Sequence, residues 1–184
     1  MKQAADKTSV VFQARLRQPK DATDGNWAFV VLPHDISKQM PRRGRTTAEV
    51  WLEGHHFQIL LEPDGNKSHW FKLEDTQLQF AGVNVSDEVR IKIKPVDQEP
   101  EPEVPKDLKR AIQSSHEAQN TWQATTTLAR LDWIHWVTSA KQRKTRTQRI
   151  AGACQMLAEG KKRVCCFDPS GFYSKAFKAP EAME

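Results

Sequence analysis

Apolar and polar residues alternate through most of the first half of the chain. This period of two is typical of half-buried β-strands. Six segments show it or form a short continuous apolar run: residues 10–16, 27–32, 48–52, 57–61, 69–73 and 89–94. A short, glycine-containing link at residues 53–56 favours a hairpin, and one helical turn is predicted at residues 75–81. We assign Trp27, Phe29 and Ile91 to the core of this region.

The second half changes to a spacing of three to four residues. Leu128, Leu131, Ile134 and Val137 form one predicted buried stripe of a helix. Capping boxes at residues 114–117 and 145–148 predict two helix starts, and Gly160 predicts a helix end. The fold class is therefore α+β: an N-terminal six-stranded small β-barrel followed by a C-terminal helical module. Barrel closure is favoured because it removes aggregation-prone edges.

A proline-rich acidic segment separates the two halves. We predict a barrel domain at residues 8–96, a semi-rigid linker at 97–105, a basic helical module at 106–163 and a tail at 164–184. The tail contains Phe167, Phe172, Tyr173 and Phe177, and is too aromatic to be purely solvated. The sequence leaves open whether it packs on the barrel or on the helices.

Composition fits a globular protein without a membrane span. The chain is 38% hydrophobic and 28% charged, with a mean hydropathy of -0.69. Its longest apolar runs fall well short of the roughly 18 residues that a membrane helix needs. The first seven residues lack the apolar core of a secretory signal. Three cysteines, two of them adjacent, form no disulfide framework. We therefore expect a cytoplasmic protein with reduced thiols.

Positive charge is confined to the second half. Residues 1–100 have no net charge, whereas residues 101–184 have the whole net charge of +5. Such asymmetry favours an anionic partner, although a basic surface also serves solubility.

The strongest candidate site is a basic cluster between two predicted helices, formed by Lys141, Arg143, Lys144, Arg146 and Arg149. A helix N-terminus there favours an anion, and arginines three residues apart can bind a phosphate from one side. Trp133 and Trp136 on the preceding helix offer a stacking platform if they are partly exposed. The alternative is a solvated basic loop with both tryptophans in the core and Arg146 bonded to helix ends or to Asp132.

A second basic patch is formed by Arg42, Arg43 and Arg45 in a loop of about 12 residues. Its alternative is a flexible, solvated loop. His55, His56 and His69 have no further ligand at recognisable metal spacing, so we expect an incidental group of histidines rather than a metal site.

Motifs for catalysis are missing from the sequence. It contains no G-x-S-x-G, P-loop, Rossmann or zinc-protease motif. We therefore expect no catalytic residues, no cofactor and no enzymatic activity. Cys154 falls on an apolar helix stripe, where a core position is expected.

Residues 131–161 resemble the YdeI/OmpD-associated, or bacteriocin-protection, family. The family pattern is roughly W-I-x-x-A-K, a gap, E-T-R-x-x-R-I and L-x-x-G. The positions that match it are Trp136 or Trp133, Ala140, Lys141, Thr145, Arg146, Arg149, Ile150, Leu157 and Gly160. Lys144 and Asp132 stand where the family usually has glutamate. The resemblance implies a link to protection against cationic peptides.

The first half is similar to a small barrel family of unknown function that often precedes this module. The matching segments are residues 12–14, 27–33, 50–54 and 87–89, with Ser86 in place of the usual glycine. This resemblance implies a double-split barrel of the AbrB-like type.

Three functional hypotheses follow. The first is a non-catalytic stress-protection protein that binds an anionic partner through the basic helical face. The second is a nucleic-acid-binding protein that uses the same face. The third is a barrel that binds a small ligand, against which stand the large apolar side chains on almost every strand.

Overall fold

The computed structural model describes residues 8–23 and 25–184. They form two compact units. The barrel unit contains the described residues up to Gln98 together with Ser170–Glu184, and the helical unit contains Glu99–Pro169. None of the described helices is long and apolar enough to cross a membrane.

The barrel unit is built on a six-stranded antiparallel sheet that curls on itself. Its elements are β1 (Val10–Arg15), β2 (Trp27–Val31), α1 (His34–Ser37), β3 (Thr46–Leu52), β4 (His55–Pro63), β5 (His69–Glu74), α2 (Asp75–Ala81) and β6 (Glu88–Pro95). The strand order is β1-β6-β3-β4-β5-β2. Beyond the end of β1, Arg17 pairs with Phe29 of β2, so the first and last strands of this order meet. The predicted α+β class and the six strands are confirmed.

Alternation along each strand decides which side chains enter the interior. Phe12 pairs with Ile91, and Val50 pairs with Ile93, so that inward positions on neighbouring strands face one core. Phe29 and Ile91 are fully buried, as predicted. Trp27 is only half-buried, because it lies at the first position of β2, where the Lys72 ammonium lies 4.7 Å from its ring centroid. Its assignment to the core was wrong.

The segment between β2 and β3 is folded rather than a flexible loop. It contains α1, and both Ile36 and Met40 from this segment are buried in the barrel core. Ser37 Oγ lies 2.6 Å from His69 Nδ1, and His69 Nε2 lies 3.1 Å from the Gly44 carbonyl oxygen. Burial lowers the pKa of His69, so the neutral ring joins α1 to the start of β5.

The helical unit contains four helices. They are α3 (Lys106–Gln113), α4 (His116–Gln123), α5 (Thr127–Thr138) and α6 (Arg143–Ala158). Ser115 caps α4 by accepting a hydrogen bond from the Ala118 N–H, and Thr126 caps α5 in the same way. The predicted cap Ser114 is instead the C-cap of α3, one position before the actual N-cap of α4.

The last helix differs from its prediction at the start but not at the end. It begins at Arg143, so Thr145 lies inside the helix and caps nothing. The preceding Gln142 is the N-cap and makes no side-chain capping bond. At the other end, Gly160 has a φ of +83° and Lys161 donates its N–H to the Met156 carbonyl. This is the glycine-terminated helix end that the sequence predicts.

Trp133 lies at the centre of the helical core. The buried residues of this core are Leu108, Ile112, Ala118, Trp133, Ile134, Val137, Ala153 and Leu157. Leu131, Ile134 and Val137 of the predicted stripe are buried, whereas Leu128 is only half-buried. Helix α5 also buries Ala129, so its apolar surface is wider than one stripe.

Part of the proline-rich segment is attached to the helical unit. Arg130 binds both carboxylate oxygens of Glu101, at 2.8 and 2.7 Å, and Val104 packs against the helical core.

The aromatic tail divides between the two units. Residues 170–184 belong to the barrel unit, where Phe172 lies between the ammonium groups of Lys67 and Lys175, each 4.3 Å from its ring centroid. Near the end of the tail, Ala182 pairs with Pro19 in an isolated β-bridge. Phe167 remains in the helical unit, in edge contact with His135.

Candidate functional site: the basic cluster of the helical unit

Three cations of the basic cluster are exposed at the start of α6. Lys141 lies in the link after α5, and Arg143 and Lys144 occupy the first turn of α6. Within this described helix the first turn contains no acidic residue. The positive end of the helix dipole therefore adds to the three side-chain charges. This arrangement can attract an anion electrostatically.

Arg146 has a partner within the helical unit. Its Nε and Nη2 atoms donate to the two carboxylate oxygens of Asp107, at 2.8 and 3.0 Å. These hydrogen bonds raise the pKa of Arg146 and lower the pKa of Asp107. The partner is thus neither Asp132 nor a helix end, which were the two contacts that the sequence suggested. The bidentate pair joins α6 to α3.

Arg149 binds the end of the preceding helix. Its Nη1 donates to the Trp136 carbonyl at 2.6 Å and to Ser139 Oγ at 3.1 Å. Cationic side chains near a helix C-terminus satisfy carbonyls that have no partner inside the helix. Arg146 and Arg149 thus both connect helices, and phosphate binding by this pair of arginines stays a prediction.

The two tryptophans occupy different environments. Trp133 is 0% exposed, so no face of its ring is available for stacking. The stacking prediction therefore fails for Trp133, and the core position is correct. Trp136 is half-buried and contacts Trp133 edge-on, and the Arg149 guanidinium lies 5.7 Å from its ring centroid. Only Trp136 retains accessible ring surface beside the basic cluster.

The second predicted patch does not form a continuous basic surface. Arg45 donates to Glu62 at 2.8 Å, and both side chains are mostly buried. Arg42 is half-buried and lies near His69, whereas Arg43 is exposed. This segment belongs to the barrel unit, so its charges are described apart from those of the basic cluster.

Arg130 was missed by the sequence reasoning. Besides binding Glu101, it donates to the carbonyls of Trp122, Gln123 and Thr125 at the end of α4. Its sequence signal is weak, because a single arginine after a threonine-rich turn looks like any solvent-exposed cation. Arg130 and Arg149 thus have the same structural role at two successive helix ends.

His55, His56 and His69, the histidines singled out from the sequence, do not converge. His69 is buried in its bonds with Ser37 and Gly44, and His56 is paired with Glu49. His55 instead contacts Phe80 edge-on. Among residues 8–23 and 25–184, no three histidine, cysteine or acidic side chains come close enough to hold a metal ion.

The barrel interior is filled by large apolar side chains, including Phe71, Leu16, Leu52 and Leu61, all fully buried. On the outer face, a shallow cleft of about 250 Å³ is lined by Trp51, Gly54, Arg90 and Lys92. The Lys92 ammonium lies 4.0 Å from the Trp51 ring centroid, and His56 stacks nearby at 4.8 Å. Lys92 and His56 therefore already contact the Trp51 ring, where a ligand would otherwise stack.

These features define a two-unit α+β protein in which a basic helical module follows a small barrel. Residues 101–160 match the family model described as bacteriocin-protection, YdeI or OmpD-associated. Residues 12–93 match a domain of unknown function (DUF1905). The helical unit is thus similar to the YdeI/OmpD-associated family, and the barrel unit is similar to the domain of unknown function. No curated protein matches the chain.

Proposed function

We propose that this protein contributes to bacteriocin protection without catalysis, by binding a polyanion through Lys141, Arg143 and Lys144. The observation behind the proposal is the exposure of all three cations at the start of α6. The other two members of the basic cluster, Arg146 and Arg149, position this surface through α3 and α5.

The chemistry of the stress points in the same direction. Cationic peptides would be repelled by a surface of this charge, whereas the anionic molecules that they compete for would be attracted to it. The positive charge of the helical unit therefore suits a protein that competes with cationic peptides for anionic molecules, and does not suit a protein that binds the peptides themselves.

Nucleic acid is the second candidate for the anion. The half-buried Trp136 lies beside Arg149 at the edge of the basic cluster. Aromatic rings next to phosphate-binding cations are typical of single-strand binding surfaces. A single accessible ring supports a short contact, in which the phosphates would supply most of the affinity.

Titration of the intrinsic tryptophan fluorescence with heparin, single-stranded DNA and RNA tests the proposal. The variant Lys141→Ala/Arg143→Ala/Lys144→Ala removes the exposed cations. The matched control, Lys161→Ala/Lys162→Ala/Arg163→Ala, removes three exposed cations after the opposite end of α6.

We expect the first variant to lose most of the binding and the control to keep it. The slope of log K against log salt should fall by about 0.7–0.9 for each lost phosphate contact. Equal loss in both variants would mean that only net charge matters, and absence of binding at low salt would refute the anion site. Preference for DNA or RNA over heparin would select the second candidate.

A growth assay tests the biological part. Cells that lack the protein should be more sensitive to cationic peptides, and the wild-type chain should restore their tolerance. If the Lys141→Ala/Arg143→Ala/Lys144→Ala variant restores tolerance as well, protection does not depend on anion binding, and the proposal is contradicted.

We also propose a cytoplasmic location. Cys154, Cys165 and Cys166 are all free, and the last two are exposed. Exposed free thiols persist in reducing compartments. Cell fractionation checks this, and recovery from the periplasm would overturn it.

A further inference from the structure

Two adjacent cysteines are held on a short turn after α6. Val164, immediately before them, packs against the helical core. Phe167, immediately after them, contacts His135 edge-on with ring centroids 5.5 Å apart. Cys165 and Cys166 are exposed between these two apolar anchors. The turn is therefore fixed on both sides while its two thiols face solvent.

The two sulfur atoms converge. Cys165 Sγ and Cys166 Sγ lie 3.3 Å apart. Neighbouring side chains in an extended chain point to opposite sides. Here Cys166 has a φ of +59°, in the left-handed region that L-residues seldom adopt. With this backbone conformation at Cys166, the two sulfur atoms lie close enough together to bind one common atom.

The local chemistry favours a shared ligand over a disulfide. Cα atoms of adjacent residues are about 3.8 Å apart, less than the roughly 4.4–6.8 Å of ordinary disulfides. The hydrogen bond with Cys165 raises the pKa of Cys166, so the thiol of Cys166 stays protonated near neutral pH.

We propose that Cys165 and Cys166 form a chelating dithiol site for trivalent arsenicals. An organoarsenic oxide, R–As=O, would form two As–S bonds as both S–H bonds break. Its oxygen leaves as water with the two protons, so arsenic and sulfur keep their oxidation states and no oxidant is required.

Geometry distinguishes this ligand from zinc. Zinc binds sulfur at about 2.3 Å in a tetrahedron, which separates two ligating sulfurs by about 3.8 Å, and its structural sites use four ligands. Trivalent arsenic forms pyramidal compounds with narrower bond angles, which bring two sulfurs closer together. The 3.3 Å separation of the two thiols matches this shorter distance between sulfurs. An organoarsenical already has one As–C bond, so two As–S bonds complete its three bonds.

Phenylarsine oxide added to the full reduced chain tests the proposal, with bound adduct counted by intact-protein mass spectrometry. We expect one adduct that withstands excess monothiol and is removed by a dithiol. Cys165→Ser and Cys166→Ser should each hold the arsenical at least about 10²-fold less tightly, because the second bond is no longer intramolecular. Cys154→Ser should behave like wild type.

Retention of a monothiol-resistant adduct by either single variant would overturn the proposal, as would removal of the wild-type adduct by monothiol alone. Loss of the adduct in Cys154→Ser would assign the site to another cysteine pair. A parallel titration with Zn²⁺ should show at least tenfold weaker retention of the metal than of the arsenical, and the reverse order would assign the pair to zinc. These outcomes do not depend on the anion binding of the basic cluster, since none of its residues is changed.

Discussion

The barrel unit and the helical unit use polar side chains in different ways. In the barrel unit, buried polar groups bind one another and nearby backbone: Ser37 contacts His69, and Ser68 donates to the Leu32 carbonyl. In the helical unit, long arginine side chains bind helix ends from less buried positions, as Arg130 and Arg149 do. A sheet satisfies its own backbone, whereas short helices leave carbonyls at each end that another group must satisfy. This difference explains the structural role of Arg149, whereas Arg146 connects α6 to α3 through Asp107.

The largest expected effect concerns the two cores. Trp133→Ala and Phe29→Ala each remove a fully buried aromatic ring, and each should lower the free energy of unfolding by about 3–5 kcal/mol. Hydrogen exchange should report the loss mainly in the unit that contains the change. Phe80→Ala, at a 66% exposed ring in edge contact with His55 and Phe57, is the control and should cost about 1 kcal/mol or less. An equal loss of protection in both units after either change would show that the cores unfold together.

The next effect compares two arginines of the helical unit. Arg130→Met should cost about 1.5–3 kcal/mol, because several carbonyls of α4 and Glu101 lose a charged donor. Arg146→Met should cost less than about 1 kcal/mol, because its pair with Asp107 is largely exposed. Urea denaturation measures both. If Arg146→Met lowers the free energy of unfolding more than Arg130→Met does, the ion pair between Arg146 and Asp107 contributes more to stability than the contacts of Arg130.

A glycine pair tests the contact between the tail and the sheet within the barrel unit. A Cβ atom at Gly65 would lie 2.0 Å from the Phe177 carbonyl oxygen, whereas one at Gly54 would meet nothing within 4 Å. Both glycines have positive φ, so Gly54→Ala controls for backbone strain. We expect Gly65→Ala to cost about 1–3 kcal/mol more than Gly54→Ala. It should also increase hydrogen exchange at Met183, whose N–H bonds the Gln18 carbonyl. If both variants lower the free energy of unfolding equally, the tail around Phe177 moves away from residue 65 without a cost in stability.

The smallest effect is a pH dependence confined to the barrel unit. Burial holds the pKa of His69 below its ordinary value of 6.5. As the pH falls through 6.5 the unfolded chain gains a proton that the folded chain does not, so stability is full above this pH and declines below it. One proton limits the slope to about 1.4 kcal/mol per pH unit. The hydrogen bond with the Gly44 carbonyl and the charge of Asp64 oppose this lowering of the pKa, whereas the charge of Arg42 adds to it.

Thermal unfolding between pH 5 and 8 measures this dependence. His69→Gln should remove it, and His34→Gln, which changes an exposed histidine of the same unit, should leave it. A slope that survives His69→Gln would assign the proton to another group.

The sequence determined the strands of the barrel almost completely. A period of two is a local property, and a shift of one residue would turn every side chain to the wrong face. Positions such as Phe29 and Ile91 could therefore be assigned without a structure. Trp27 was misjudged because burial decreases at the first position of a strand, which alternation alone does not reveal.

The sequence also determined where the basic cluster lies and which family the helical unit resembles, because both depend on residues close together in the chain. Only the tertiary structure decided what each cation does. Arg146 meets Asp107 across 39 positions of sequence, and Arg130 meets Glu101 across 29. Trp133 and Trp136 lie one helical turn apart, but only the packing of α3, α4 and α6 around α5 made one of them core and left the other at the surface. Local patterns specify elements, whereas the partner of a long flexible side chain depends on which elements the folded core brings together.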